Sequence, residues 1–157
     1  MGFMNTINII GSGLTAQQLR LDIVSENVTN SQTTRVENGE GAYRRKMVVF
    51  EAVSGRNSFR DALARAAQGM TPTSNTEVPP VAGGVRVTEI VEDDSPMKMV
   101  YDPTHPDADE QGYVELPNVD MVLEIADAMA ASRAFASNVT AFNTLKSVIS
   151  SGLEIGR

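Results

Sequence analysis

Two apolar stripes of helical spacing, one at each end of the 157-residue chain, constrain its fold more than any other feature of the sequence. In the first, Phe3, Ile7, Ile10, Leu14, Leu21, Val24 and Val28 recur at alternating steps of four and three, with Gln17 the one polar occupant. Such spacing puts the side chains on one seam of an α-helix, the pattern of a coiled coil. A second stripe, Ile9, Ala16, Leu19 and Ile23, lies about 150° around the same helix at 100° per residue. A helix packed on one core shows one apolar face, so two faces imply two neighbours. Gly11 and Gly13 interrupt the pattern, and each costs about 1 kcal/mol relative to alanine inside a helix. Thr15 and Gln18 have the spacing of a capping box. The expectation is therefore a short N-terminal piece, a flexible joint at the glycine pair, and a fresh helix from Thr15. The polar run Asn27–Thr34 ends it, because such side chains offer the backbone alternative hydrogen bonds.

At the other end, Met121, Ile125, Ala128, Phe135, Val139, Phe142, Ile149 and Leu153 follow the same three-four rule, with Ser132 and Lys146 as exceptions. Val122, Met129 and Ala136 widen the stripe along one edge. Asn118 suits an N-cap, and Asp120 suits the positive end of the helix dipole. A helix over 119–153 is about 50 Å long at 1.5 Å per residue.

Between the stripes the periodicity changes. Tyr43–Val53 and Val85–Val91 carry the β-branched, alternating signature of strands. Residues 57–68 have the spacing of a short helix, residues 69–84 the proline, glycine and polar content of a flexible loop, and the four prolines of 93–118 suit turns and short extended pieces. The fold class this predicts is α+β, mainly α at the ends. Residues 1–34 and 118–157 form an antiparallel coiled-coil hairpin, the helical assembly domain, and 35–117 form a small β-rich outer insert with a flexible loop at about 69–84. A lone two-helix hairpin buries little, so its ends are expected to become ordered only when neighbours cover them.

Composition removes several function classes. The formal net charge is −7, against the basic surface that a general nucleic-acid binder needs to release counterions. Charge is uneven: the net is −1 over 1–34, +2 over 35–84, −7 over 85–118 and −1 over 119–157. The basic run Arg44-Arg45-Lys46 is expected to face water or meet the acidic 89–115 segment through exposed pairs worth about 0–1 kcal/mol each. With no cysteine there are neither disulfides nor thiolate metal sites. No apolar run approaches the roughly 20 residues that span a bilayer, and MGFMNTINIIGSG lacks the n- and h-regions of a cleaved secretory signal. Asp102, His105, Asp107, Asp109 and Glu110 cluster, but one histidine and no calcium-loop spacing favour a solvated acidic turn over a metal site. Gly11-Ser12-Gly13 follows no strand and lacks the lysine of a phosphate loop. Neither an enzyme nor a cofactor is expected.

One motif adds a family resemblance. The helix running into SENVTNSQTT, with Asn27, Val28, Asn30, Thr33 and Thr34, resembles the signature of the bacterial flagellar axial proteins of rod and hook, in which a helix ends in an N-I-A-N-x-x-T-like motif. Thr29 stands where that motif has a small apolar residue. YRRKMVVFE, then VTEIVEDDSPMKMVYDPTHPDADEQGYVELPNVDMVLEIADAMAASRAFASNVTAFNTLKS, and finally LEIG are similar to the proximal-rod branch of that family. The likeness covers residues 3–51 and 85–156, and the longer, irregular 52–84 carries no inference from it.

The resemblance implies a structural subunit, exported by the flagellar type III apparatus without signal cleavage. It implies polymerisation into the basal-body rod that transmits torque across the periplasm, with the terminal helices inside and the insert facing out. Subunit assembly is then expected of Phe3, Ile7, Ile10, Leu14, Leu19, Leu21, Ile23, Val24 and Val28, with Met121, Ile125, Phe135, Val139, Phe142, Ile149 and Leu153. The implied partners are copies of itself, other rod proteins, rod-ring junction proteins and the export apparatus, with no nucleic acid and no direct membrane insertion. Two competing functions are an export adaptor or chaperone for other axial proteins, and a small metal-dependent enzyme built on the 102–110 cluster.

Overall fold

In a computed structural model the described residues are 3–36, 41–54 and 82–155. Helix α1 spans Phe3–Thr29, and strands β1 (Lys46–Ser54) and β2 (Ala82–Glu92) follow it. Strands β3 (Lys98–Tyr101) and β4 (Tyr113–Leu116) lead to helix α2, Met121–Ile155. Two helices with small antiparallel sheets between them make an α+β fold. The short helix expected at 57–68, and most of the loop expected at 69–84, lie outside the described residues.

α1 is unbroken through both glycines, so the expected joint at Gly11 and Gly13 and the fresh start at Thr15 are corrected. Ser12 Oγ donates to the Ile9 carbonyl at 2.7 Å and Thr15 Oγ1 to the Gly11 carbonyl at 3.1 Å. These hydroxyls bond back along the helix instead of capping one, and Gln18 donates its amide to Asp22, not to a cap. Tertiary contact explains Gly13: a Cβ there would stand 3.0 Å from Asn138 Nδ2 of α2, so the glycine lets the helices approach. The helix ends at Asn30, whose N–H and side-chain amide both donate to the Glu26 carbonyl at 3.0 Å. That satisfies an acceptor otherwise orphaned at a helix C-terminus.

α1 and α2 run antiparallel: Asn27 meets Glu124, Arg20 meets Asp127 and Gly13 meets Asn138, so α2 numbers rise as α1 numbers fall. Extending that run puts Phe3 beside about residue 148, and the last turns of α2 pass the end of α1. The N-cap of α2 is Asp120, whose Oδ1 accepts from Val122 N at 2.9 Å and whose carbonyl accepts from Glu124 N. Asn118, expected to be that cap, sits too early and has another task.

β1 and β2 form an antiparallel ribbon from Lys46↔Glu92 to Ser54↔Ala82, with register shifts at Val49/Phe50 and Ala52/Ser54. β1 starts three residues later than the sequence reading, and β2 starts at Ala82, inside the stretch expected to be loop. The ribbon lies against α1. At the crossing Ser12 Oγ accepts the Val85 N–H at 3.1 Å. Gly84 there has φ +102°, and any Cβ on it would collide with Ser12 Oγ. β3 pairs with β4 from Lys98↔Leu116 to Tyr101↔Tyr113, and the two tyrosine rings meet edge to face at 5.3 Å.

α1 thus has two neighbours within the chain, α2 and the ribbon. Among the described residues, the buried positions gather where α1 ends and α2 begins: Ala16, Ile23, Val24, Ala42, Tyr43, Val114, Val119 and Ala131, with Asn27, Pro117 and Glu124 among them.

Candidate assembly site

The junction of the two helices with β1 is built around one amide. Asn27, 1% exposed near the end of α1, donates from Nδ2 to the Lys46 carbonyl at 2.8 Å and to Glu124 Oε2 at 3.0 Å. Its Oδ1 accepts from Lys46 N and from the Tyr43 hydroxyl, each at 2.9 Å. Every hydrogen-bonding site of the amide is used, which makes its burial affordable. Toward Lys46 it pairs with N–H and C=O together, as a neighbouring strand would.

Glu124, 0% exposed, also accepts from Arg45 Nε at 2.6 Å, and Arg45 Nη1 reaches Asp93 at 3.5 Å. Asn118 Oδ1 accepts the Arg45 N–H at 2.8 Å while its Nδ2 donates to the Asp93 carbonyl at 2.9 Å. Lys46 pairs with Glu26 at 2.5 Å, and nearly two turns back along α1 Arg20 makes a two-pronged pair with Asp127 of α2. Burial pushes the Tyr43 phenol well above its ordinary range, and the charges of Glu26, Glu124 and Glu92 push it further. Burial pulls the Arg45 guanidinium down, but hydrogen bonding and attraction to Glu124 and then Asp93 outweigh it and raise it overall. Hydrogen bonds from Ser95, then Arg45, hold the Asp93 carboxyl below the usual range.

The other motif residues tie the exit of α1 in place. Thr33 Oγ1 donates to Asn30 Oδ1 at 3.1 Å, the Thr33 carbonyl accepts the Tyr43 N–H at 3.0 Å, and Thr34 Oγ1 donates to Asp107 at 2.9 Å. The acidic cluster is a pair of side-chain-closed turns. Asp102 Oδ1 accepts from Thr104 N and Oγ1, which lowers its carboxyl, and Asp109 Oδ1 accepts from Gln111 N and Tyr113 N. Asp107 faces Thr34 and Arg35. No group of three such side chains among the described residues is placed to hold a metal ion.

The proposed assembly residues divide by helix. On α1, Ile23 and Val24 are buried, and Ile7, Ile10, Leu14, Leu19, Leu21 and Val28 are half-buried; the side chain of Phe3 lies outside the described residues. On α2, Phe135 and Ile149 are half-buried, whereas Met121, Ile125, Val139, Phe142 and Leu153 are exposed, Leu153 at 72%. The face of α2 turned to α1 runs through Glu124, Ala131, Ala134 and Asn138, each one residue before a position of the stripe, with Ala128 common to both. Small side chains allow close helix approach, and much of the bulky stripe is left exposed, flanked by the exposed Val122 and Met129. Sequence reasoning missed Tyr43, Arg45, Asp93, Asn118 and Glu124. The available signal was Glu124 in line with the alanines at 128 and 131, a charge on what is otherwise the small-residue face.

Comparison with known proteins identifies the whole arrangement. The family described as flagella basal body rod protein matches residues 7–35, and the C-terminal family of the flagellar basal body rod FlgEFG proteins matches residues 110–155. The flagellar basal-body rod protein FlgC of Bacillus subtilis is 42% identical over all of both chains. FlgC of Borreliella burgdorferi is 39% identical over 99% of this chain and 98% of its own, and FlgC of Escherichia coli O6:H1 is 36% identical over all of both.

The chain belongs to the FlgC family of flagellar basal-body rod proteins. As a member of that family it is a structural subunit of the basal-body rod, not an enzyme. The two family matches cover α1 from Ile7 with its exit motif and the 110–155 stretch that contains α2, the two helices that the junction joins.

Proposed function

We propose that this subunit polymerises through its terminal helices, 1–34 with 118–157, packed as an antiparallel coiled-coil hairpin, while 35–117 forms an outer insert facing other components. The carrying observation is the unequal covering of the helices. α1 packs on both α2 and the ribbon, whereas α2 turns Val122 (76% exposed), Ile125, Met129, Val139 and Phe142 to solvent. A row of large apolar side chains on one open helix face marks an interaction surface. Copies of the chain, other rod proteins and rod-ring junction proteins are its occupants.

Among the described residues no helix is long and apolar enough to cross a membrane. The reading is of a subunit exported by the flagellar type III apparatus and assembled into a torque-transmitting rod in the periplasm. Val139→Asp with Phe142→Asp should leave the isolated chain's helix content intact and remove it from purified basal bodies; deletion of residues 1–14 should do the latter too. Wild-type rods from either variant would sink the reading. A protein found only in the cytoplasm would favour an export adaptor instead.

A further inference from the structure

In an antiparallel ladder every second residue turns its N–H and C=O away from its partner strand. Three of the four described strands have at least one such outward group taken. Asn27 holds both groups of Lys46 on β1, and Ser12 Oγ accepts the Val85 N–H on β2. On β4 the Asp109 N–H donates to the Tyr113 carbonyl at 2.9 Å, and Asp109 Oδ1 accepts the Tyr113 N–H at 2.8 Å. β3 differs. The Asp102 N–H donates to the Gly112 carbonyl at 2.9 Å, which sets the phase of the ladder. Val100 therefore bonds toward Val114, while Met99 and Tyr101 turn their N–H and C=O to the open edge. No described residue bonds to those groups, and all of β3 is exposed, Tyr101 at 64%.

An open edge invites pairing with another chain, and a lysine on it is a common guard. Here Lys98 is drawn off, its ammonium donating to the Val119 carbonyl at 2.7 Å. Among the described elements β3 packs on β4 alone. The Tyr101 ring is held against Tyr113 and close to Gly112, where a Cβ would stand 3.0 Å from it. We propose that β3 accepts an added strand from a partner protein, an extended segment that carries lysine or arginine. Charge chooses that occupant. Residues 93–120 hold eight carboxylates against one lysine and one histidine. Only Asp93 and Asp107 among them have described cationic partners, Arg45 and Arg35. A second copy would set two such acidic lobes edge to edge, so like charge opposes self-pairing. A basic strand meets the opposite sign, takes backbone hydrogen bonds from the edge and can lay a guanidinium on the Tyr101 ring. The edge belongs to the insert and not to the α2 face proposed for polymerisation.

The probe is an end-blocked Arg-Val-Arg-Val-Arg-Val peptide, titrated into the full-length protein and followed by amide NMR and hydrogen exchange. Saturable binding of millimolar affinity or tighter is expected, with shifted signals and slowed exchange at Met99 and Tyr101. A Glu-Val repeat of the same length should leave both signals unmoved. Met99→Pro removes an outward N–H and no ladder bond, so the sheet tolerates it. That variant should bind the arginine peptide about tenfold more weakly, the worth of one or two hydrogen bonds.

If Met99→Pro does not fold, the wild-type chain is titrated with the arginine peptide methylated at every backbone nitrogen. That probe keeps the charge without a donor, and the same weakening is expected. Undiminished binding in whichever comparison is read would reduce the contact to charge attraction and overturn the proposal. So would binding of the Glu-Val repeat, or no binding of the arginine peptide at millimolar concentration. Self-association of the free chain in sedimentation, lost in Met99→Pro, would make a second copy the occupant and overturn it too. None of these readings involves incorporation into a basal body, so failure here leaves the polymerisation test untouched.

Discussion

The two ends of the helical pair are built on different principles. Where α1 ends and α2 begins, Ile23, Val24, Val119 and Ala131 are buried, and the polar groups among them are satisfied by named partners from three elements. At the opposite end no residue of α1 before Ala16, and none of α2 after Ala131, is buried among those described. Both ends are apolar in sequence. The difference shows that apolar content alone does not define a core: the junction has the start of β1 and the Asn118 segment to close over it, whereas beyond it the two helices have only the edge of the ribbon, seated on Ser12, beside them. The buried residues of the helical pair lie at the closed end, and the open end has none among those described.

The sharpest way to break this contrast is Arg45→Ala. It strands a fully buried Glu124 carboxylate, so urea unfolding followed by circular dichroism should show a loss of about 3 kcal/mol. An unchanged midpoint would mean that water reaches Glu124 and that the junction is not closed. Asn27→Ala should come next, at about 2 kcal/mol, because it leaves the Tyr43 hydroxyl and Lys46 N–H without their acceptor.

Gly84→Ala tests the ribbon's seat on α1. The positive φ and the collision with Ser12 Oγ should together cost about 1–2 kcal/mol in a thermal melt, relieved in part by Ser12→Gly. At the open end Leu153→Ser should change the isolated chain by no more than about 0.5 kcal/mol. A larger loss would show that the far end carries stability by itself.

The smallest effect is in pH. Asp93 and Asp102 are held below the usual carboxylate range, so their contribution is complete above the unfolded value of about 3.9 and is lost as pH falls through the lower folded values. Stability followed from pH 7 downward should therefore hold until about pH 4 before these two contribute to the decline, and Asp93→Asn should remove part of that decline.

Much of the architecture was legible. The three-four spacing located both helices, and the alternation of 85–91 located most of β2, because a repeated choice of side chain leaves a periodic trace. The site was legible only in part. Asn27, Asn30, Thr33 and Thr34 stood out as a motif, yet a motif does not show that the Asn27 amide pairs with Lys46 or that Glu124 closes the group. Arg45 looked like one of three exposed cations. It is the one whose partner comes from 79 residues away, and that separation leaves no local signal.

The sequence by itself determined that this chain has two amphipathic ends, a β-rich middle, no thiol chemistry and a polar stop at the exit of the first helix. These follow from local spacing and composition. Tertiary structure decided which stripe is core and which is surface: the alanine face of α2 turns inward because small residues let two backbones approach, and the bulky face is left outside. It also turned the glycine pair from a joint into part of a continuous helix, with Gly13 at the contact. α1 found two neighbours within the chain, because the turns after Asn30 and at Asn118 bring β1 and α2 to the same amide.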